Sequence, residues 1–177
     1  MTGSNVDTDE DVAIKLEHHT IDPSFLEYEA EIYKSLSGRA GFPLVYWSGF
    51  QDDYRALVFE LLGPNLEDLF RYCGNQSSLK TTLIIADQLL YRFESLHSKE
   101  FLHRDVKPDN FLLGTGGRGN HIYMTDLGLA TYHNSKRTMS PDAYISKPQL
   151  VGTARYASIN GHLERGQWMS TLPSIKK

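Results

Sequence analysis

The sequence predicts an α+β fold with two lobes around a cleft. Strand patterns dominate the first 60 residues, whereas the longest helical pattern lies later, at 79–97. A polar loop at 103–110, rich in ionisable side chains, follows that helix and precedes two short strand patterns. Strands first and helices later along one chain are typical of lobes that pack as separate layers. We therefore expect the loop to lie at the cleft.

Length and composition limit the class of protein. The 177 residues suffice for one ordinary domain, which would bury roughly 70% of its unfolded surface. The net charge of -4 argues against electrostatic binding to nucleic acid. A single cysteine, Cys73, excludes an internal disulfide and fits a reducing compartment. No N-terminal run resembles a signal peptide and none approaches the ~18 apolar residues of a membrane span, so we expect a cytoplasmic protein, a nuclear one, or both.

The N-terminal part predicts a strand and a helix. Residues 12–17, VAIKLE, alternate in side-chain direction as in a short strand. Asp22 followed by Pro23 predicts a helix N-cap with proline at the first helical position. The helix is expected to run to about Ser37, where Gly38 ends it.

A hairpin and two helices are predicted next. Strand patterns near 44–50 and 54–60 flank a polar tripeptide, which indicates a hairpin. After a Gly-Pro break, helical patterns cover 66–72 and 79–97. The remaining predicted elements are short strands near 111–113 and 121–125 and an irregular segment at 129–158.

The longer helical pattern, 79–97, is apolar on more than one side. Its apolar residues spread over much more than one stripe, and they are Leu83, Ile84, Ile85, Leu89, Leu90, Phe93 and Leu96. A helix of that kind needs neighbours on several sides, and the other elements of this sequence are too few to supply them. We therefore predict an exposed apolar patch, which binds a partner, aggregates or marks an incomplete chain.

The polar loop at 103–110 reads HRDVKPDN, and Asp126 begins a DLG tripeptide further along. These residue types suit phosphoryl transfer, in which a protein positions the reactants and clamps negative charge with a cation. Asp105 can accept the proton of an incoming hydroxyl, and Lys107 can hold the moving phosphoryl group. Asn110 and Asp126 offer oxygen ligands to a hard cation.

Three histidines have plainer interpretations. A histidine at the start of such a loop more often packs and hydrogen-bonds the loop than transfers protons, so we assign His103 a structural role. His18 and His19 are adjacent and point apart, and no Cys or third His lies at a useful spacing. We therefore interpret them as solvated loop residues rather than a metal site. No GxxxxGK[ST] motif occurs, which excludes a P-loop nucleotidase.

Glu29 is predicted to point inward and to pair with Lys15. Four residues share one helical face at spacings of three and four, namely Leu26, Glu29, Tyr33 and Leu36. An acid on such a face needs a cation, and Lys15 on the neighbouring strand is the natural candidate. The pair would hold the lysine against nucleotide phosphates. The alternatives are a solvated helix acid and a lysine that snorkels from a buried strand.

Three strings of residues carry a resemblance to a known family. They are ELLGPNLEDLF at 60–70, HRDVKPDNFLLG at 103–114 and GTARYASIN at 152–160. The chain resembles the casein kinase 1 family of serine/threonine protein kinases from about Gly3 to Gln167. The last string is the most discriminating, because most protein kinases carry A-P-E where this sequence has Ser158-Ile159-Asn160.

The resemblance implies a role for each matching residue. The matches are Lys15 and Glu29 for the ion pair beside ATP, Asp105 for the catalytic base, Lys107 for the phosphate lysine, and Asn110 and Asp126 for the Mg2+ ligands. Phe59–Leu62 match the hinge, where backbone groups of Glu60 and Leu62 would meet adenine. Arg155 and Ser158 match part of an anion pocket that prefers acidic or already phosphorylated substrates.

The resemblance also implies that parts of the family's pattern are absent. Gly3 matches the end of the strand that follows the glycine-rich loop, so the hairpin of that loop is missing, as is most of the helical second lobe. We expect an incomplete, protein-kinase-like two-lobe fold, truncated at both ends. Its parts are a first-lobe remnant at 1–61, the start of the second lobe at 62–167 and an unrelated tail at 168–177. Leu127 replaces the phenylalanine of D-F-G, which affects regulation more than chemistry.

Two alternative functions follow from the resemblance and its gaps. The first is a serine/threonine protein kinase that uses ATP and Mg2+ to phosphorylate acidic or pre-phosphorylated proteins. The second is a catalytically impaired kinase remnant that acts as a binding or competitor protein, because the lid over the phosphates is missing. ATP and protein substrates are the partners expected of the first. Neither alternative calls for nucleic acid or a membrane span.

Overall fold

A computed structural model describes residues 1–132 and 151–162. Its strands are β1 (Thr2–Ser4), β2 (Asp11–His18), β3 (Val45–Gln51), β4 (Tyr54–Glu60), β5 (Phe101–Leu102), β6 (Phe111–Leu113), β7 (Ile122–Met124) and β8 (Thr131–Tyr132). Its helices are α1 (Phe25–Ser35), α2 (Leu66–Tyr72), α3 (Leu79–His97) and α4 (Ile159–His162). The larger strands all precede α3, the longest helix, and the mixture of sheet and helices confirms the predicted α+β class. The predicted tail at 168–177 and much of the segment predicted as irregular lie outside the described residues.

A four-stranded antiparallel sheet forms the first part of the fold, with strand order β1-β2-β4-β3. β3 and β4 form the predicted hairpin, whose turn places Asp52 at a positive φ of 51°. β2 pairs with β4 along its length, and Lys15 lies opposite Leu57. The sheet order therefore puts Lys15 on an inner strand. Of the short strands, β6 pairs with β7 as a second small sheet, and β5 pairs with β8 as a third.

Helix α1 has Ser24 as its N-cap, so the prediction of Asp22 was wrong. The Ser24 hydroxyl accepts a hydrogen bond from the N–H of Glu27 at 3.0 Å. The carboxylate of Glu17, on β2, accepts two further first-turn N–H groups at 3.0 and 3.1 Å. First-turn donors need acceptors from outside the helix, and here an acid of the neighbouring strand supplies them. The start of α1 is thus decided by its contact with β2.

The main core lies under α1 and continues into the later part of the chain. The predicted inward face of α1 is confirmed, because Leu26, Glu29, Tyr33 and Leu36 are all 4% exposed or less. One cluster of buried apolar side chains joins this face to β4, α3, β7 and the DLG tripeptide, through Leu57, Leu96, Met124 and Leu127. The sheet, α3 and the DLG tripeptide therefore share one core.

Helix α3 buries little of its apolar surface. Leu96 is fully buried, and Ile85, Leu89 and Phe93 pack against the core while partly exposed. Five large apolar side chains are 49% to 75% exposed, namely Leu79, Leu83, Ile84, Leu90 and Tyr91. The predicted exposed patch is therefore present in the described part of the chain. None of the described helices combines the length and hydropathy that crossing a bilayer requires.

Replacing Leu57 by alanine is expected to lower the free energy of unfolding by about 2–5 kcal/mol. The Leu57 side chain is 0% exposed, so the change leaves a cavity in the main core. Urea unfolding followed by circular dichroism measures the loss. Leu83→Ala is the matched control, because it removes the same atoms from a residue that is 60% exposed and should change stability by at most about 0.5 kcal/mol. Equal losses in the two variants would contradict the burial of Leu57.

Candidate active site

The loop at 103–110 folds around the carboxylate of Asp105, which is 6% exposed. Its Oδ1 accepts hydrogen bonds from the backbone N–H and the hydroxyl of Thr153, both at 2.8 Å. Its Oδ2 lies 2.8 Å from Lys107 Nζ and accepts a hydrogen bond from Asn110 Nδ2 at 3.2 Å. Four donor groups therefore converge on one carboxylate. The structure brings together three residues that the sequence predicted for one site.

These contacts keep Asp105 ionised. Burial alone would raise the pKa of Asp105, but hydrogen bonds from Lys107 and Thr153 outweigh burial and leave that pKa below its usual value. The hydrogen bond to Asp105 in turn raises the pKa of Lys107. At neutral pH the pair is a carboxylate beside an ammonium group. Such a carboxylate can receive a hydroxyl proton, and such a cation can hold a phosphoryl group.

Lys15 connects Glu29 with Asp126. Its Nζ lies 2.7 Å from Glu29 Oε2 and 2.7 Å from Asp126 Oδ1. The predicted pairing is therefore present, and a solvated acid is excluded because Glu29 is 2% exposed. Burial raises the pKa of Glu29, and Lys15 offsets only part of that rise. Burial would lower the pKa of Lys15, but Glu29 and Asp126 outweigh it and raise that pKa.

Asn110 and Asp126 have side-chain oxygen atoms that can coordinate a divalent cation. Asn110 Nδ2 donates to the backbone oxygen of Asp105 at 2.8 Å and to its carboxylate at 3.2 Å, which leaves the side-chain oxygen of Asn110 as the ligand atom. The Asp126 side chain is 44% exposed and uses Oδ1 to bind Lys15. One amide oxygen and one carboxylate suit Mg2+, which takes few protein ligands and completes its shell with water and phosphate. The residues present therefore fit such a cation.

His103 lies behind the loop and is 2% exposed. Its Nε2 is 3.1 Å from the backbone oxygen of Thr125, and its Nδ1 accepts the N–H of Asp105 at 3.3 Å. These partners suit a neutral ring with its proton on Nε2. Burial lowers the pKa of His103, and the hydrogen bond to Thr125 offsets only part of the effect. A neutral buried ring that bonds two backbone groups agrees with the structural role predicted for it.

The lowered pKa of His103 predicts a loss of stability in mild acid. The unfolded chain binds the proton more readily than the folded one, so this contribution is complete above about pH 6.5 and is lost as the pH falls from there towards the folded pKa. We expect the melting temperature to fall between about pH 7 and pH 5, and to fall less steeply in His103→Gln.

The exposed residue His121 provides the control for this pH dependence. Its ring lies on the surface, so His121→Gln should follow the pH profile of the parent chain. Differential scanning calorimetry over a pH series gives the three profiles. An equally steep loss in parent and His103→Gln would assign the titration to another group.

The predicted hinge residues Glu60 and Leu62 lie at the end of β4 and just after it. The backbone N–H of Glu60 donates to the carbonyl of Leu44 at 2.9 Å. The backbone N–H of Leu62 makes no hydrogen bond to the part of the protein that the structure describes. The Leu62 N–H is therefore available as a donor to the edge of an adenine, as the resemblance implies.

The Glu60 side chain ties the hinge to the second lobe. It is 5% exposed, and its Oε1 accepts the N–H of Leu44 at 2.9 Å. Its Oε2 pairs with Arg118 at 2.8 Å, and Arg118 lies between β6 and β7. Arg118 was not predicted from the sequence, because nothing local links it to Glu60.

The two residues predicted for the anion pocket lie on an exposed turn that begins at Thr153. Arg155 is exposed, and its guanidinium lies over the ring of Tyr156 at 5.5 Å from the centroid. Ser158 is also exposed, and its carbonyl accepts the N–H of His162 at 3.0 Å. Because Thr153 bonds to Asp105, this turn starts at the catalytic loop.

Sequence reasoning missed two further residues of the site. Thr153 donates to Asp105 and accepts a hydrogen bond from Lys107 Nζ at 3.0 Å. Tyr33 accepts the backbone N–H of Asp126 on its hydroxyl at 3.1 Å. The available signals were the place of Thr153 in the GTARYASIN string and the inward helical face that Tyr33 shares with Glu29.

Comparison with protein-family models agrees with this geometry. The model described as the protein kinase domain matches residues 1–160 of the chain. That range contains all the residues predicted for the site, from Lys15 to Ser158. The match is to the domain as a whole and extends over most of the chain.

Proposed function

Because the chain belongs to the protein kinase family, we propose that it is a serine/threonine kinase of the casein kinase 1 type. Kinase domains use ATP and a divalent cation to phosphorylate protein substrates. The proposal adds Mg2+ as the cation, serine and threonine as acceptors, and acidic or pre-phosphorylated proteins as substrates. The strings ELLGPNLEDLF and GTARYASIN support the narrower assignment.

The observation that carries the proposal is the convergence of donors on Asp105. The carboxylate is held ionised and nearly buried, with Lys107 Nζ 2.8 Å away. In this arrangement Asp105 orients an incoming hydroxyl and receives its proton, while Lys107 stabilises negative charge on the group being transferred. Thr153 keeps the carboxylate in place through two hydrogen bonds at 2.8 Å.

Asn110 and Asp126 would hold the divalent cation. A Mg2+ ion bound there supplies charge neutralisation for the phosphate oxygens. Lys15 binds Asp126 and Glu29 at 2.7 Å each, so its ammonium group is kept at the same side of the site. The chain's own residues thus provide a base, two cations and two metal ligands.

A phosphorylation assay tests the chemistry. Purified chain is incubated with Mg-ATP and a serine peptide that carries acidic or phosphorylated residues upstream of the target. Asp126→Asn serves as the control, because it removes a ligand charge without changing side-chain size. Activity that the control abolishes supports the kinase. No activity, together with no thermal stabilisation by nucleotide, would reject it.

The anion pocket predicts a separate effect on substrate preference. Arg155→Ala should reduce kcat/KM for a pre-phosphorylated peptide by about 10-fold or more, because a charge-assisted hydrogen bond to phosphate is lost. The kcat/KM for the matched unphosphorylated peptide should remain at the parent value. Steady-state kinetics with the two peptides measure the ratio. A uniform loss with both peptides would instead indicate a general effect of Arg155 on the catalytic loop.

The second candidate function is a catalytically impaired binding protein. The observation in its favour is the exposed apolar surface of α3, where Leu79 and Leu83 are 75% and 60% exposed. Several large apolar side chains exposed on one helix are typical of interaction sites. The assay above separates the two functions, since a binding protein would show neither phosphorylation nor stabilisation by nucleotide.

A further inference from the structure

Two consecutive backbone N–H groups at the DLG tripeptide are bound by side chains of α1. The N–H of Asp126 donates to the Tyr33 hydroxyl at 3.1 Å, and the N–H of Leu127 donates to Glu29 Oε1 at 3.0 Å. Glu29 and Tyr33 are four residues apart, so they lie on one face of the helix. Tyr33, Glu29 and Leu127 are 4%, 2% and 0% exposed, so the Leu127 contact is buried and the Asp126 contact is part-buried.

The backbone of Asp126 adopts a conformation that has to be held. Its φ and ψ are 60° and 62°, in the left-handed region that non-glycine residues seldom occupy. Such a conformation persists where the surrounding structure over-determines it. With the backbone held in this way, the Asp126 carboxylate reaches Lys15 at 2.7 Å. The direction of the predicted metal ligand thus depends on what fixes this backbone.

The Tyr33 hydroxyl can act as donor and acceptor at once. Burial, followed by the nearby charges of Glu29 and Asp126, raises the pKa of Tyr33 well above its ordinary value, so the hydroxyl stays protonated. Its oxygen receives the N–H of Asp126 at 3.1 Å. Glu29 binds Lys15, and Lys15 binds Asp126. Tyr33, Asp126, Lys15 and Glu29 are therefore linked in one chain of polar contacts.

We propose that Tyr33 is a positioning residue that fixes the backbone of Asp126 so that its carboxylate is aimed at the catalytic cation. That a cation binds at Asp126 rests on the proposed function. It also accounts for the DLG tripeptide: Leu127 contributes apolar packing, whereas polar groups of α1 set the orientation of the aspartate. Tyr33 acts through Asp126 and touches neither substrate nor cation.

Tyr33→Phe tests the proposal, because the ring still fills its place in the core and only the hydroxyl is lost. Hydrogen exchange of the Asp126 amide should be faster by about 5- to 150-fold, since this N–H loses its acceptor. Amides of β4 should exchange at the parent rate, which shows that the change is local. Unchanged exchange at Asp126 would overturn the proposal.

Cation binding supplies the second measurement. Mn2+ is titrated in the presence of a non-hydrolysable ATP analogue and followed by electron paramagnetic resonance. Affinity in Tyr33→Phe should fall by about 10-fold or more, as is typical when a residue that orients a metal ligand is lost. Faster exchange at Asp126 with unchanged Mn2+ affinity would overturn the positioning role.

A tyrosine on the same helix gives the matched control. Tyr28→Phe makes the same chemical change at a residue that packs against the same core but does not receive these two N–H groups. It should leave both readouts at parent values. If the parent chain binds no Mn2+, the proposed function is rejected. Hydrogen exchange of the Asp126 amide would still show whether Tyr33 holds this backbone.

Discussion

Replacing Asp105 by asparagine is expected to lower the rate of phosphoryl transfer by about 10^2- to 10^4-fold. Asparagine has nearly the same shape, but it cannot receive the hydroxyl proton and it carries no charge for Lys107, which lies 2.8 Å away. The affinity for ATP should change little, because the role proposed for Asp105 is on the side of the acceptor hydroxyl. Steady-state kinetics with a peptide substrate measure kcat, and a nucleotide titration measures binding.

Asp109 provides the matched control in the same loop. It is exposed and makes no contact with the Asp105 carboxylate in the described network, so Asp109→Asn should keep most of the parent activity. The pKa of Asp105 is lowered, so its carboxylate stays ionised near neutral pH. Titration of Asp105 should therefore cause no loss of activity in that range. Similar activities in the two variants would contradict Asp105 as the base.

Lys15→Met is expected to reduce kcat/KM by about 10^2- to 10^3-fold, the usual cost of removing one preorganised charge from such a site. The change breaks two contacts of 2.7 Å, to Glu29 and to Asp126. It should also remove most of the thermal stabilisation by ATP. Kinetics and melting curves with and without nucleotide report the two effects separately.

This variant should also show a distinctive dependence of stability on pH. Burial already raises the pKa of Glu29, and loss of Lys15 removes the charge that opposed the rise. A group whose folded pKa lies above its unfolded value stabilises the fold in its protonated form, so the stability deficit of Lys15→Met should shrink as the pH falls. A deficit that grew at low pH would contradict this account.

Lys34→Met is the control for the loss of a lysine. Lys34 lies on α1, its side chain is 56% exposed, and it pairs only with Glu31 among the described residues. A surface pair of this kind contributes about 0–1 kcal/mol, so activity and stability should remain near parent values. Comparable losses in the two lysine variants would show that the effect is not specific to the site.

The parts of the fold that the sequence predicted well are those with local signals. α2 and α3 have the predicted bounds, and each has its own N-cap: Asn65 accepts the N–H of Asp68, and Ser78 accepts the N–H of Thr81. The inward position of Glu29 followed from the helical period alone. The spacing within HRDVKPDN likewise placed three polar side chains of one loop in contact.

Other features depended on residues far apart in the chain. The cap of α1 comes partly from Glu17 on β2, and the hinge acid Glu60 pairs with Arg118. Strands β5 and β8 have two residues each, too few for an alternating pattern, and they exist because they pair with each other. No local period reports such contacts, since each depends on how separate elements pack.

By itself, then, the sequence determined which residues can perform the chemistry and which helical face turns inward, because both depend on residue type and on short spacings. The tertiary structure decided what holds those residues in place. Thr153 reaches Asp105 across 48 positions, and Tyr33 reaches Asp126 across 93. Contacts of that range arise only when the chain has folded, since chain connectivity alone leaves such distant groups free to lie apart.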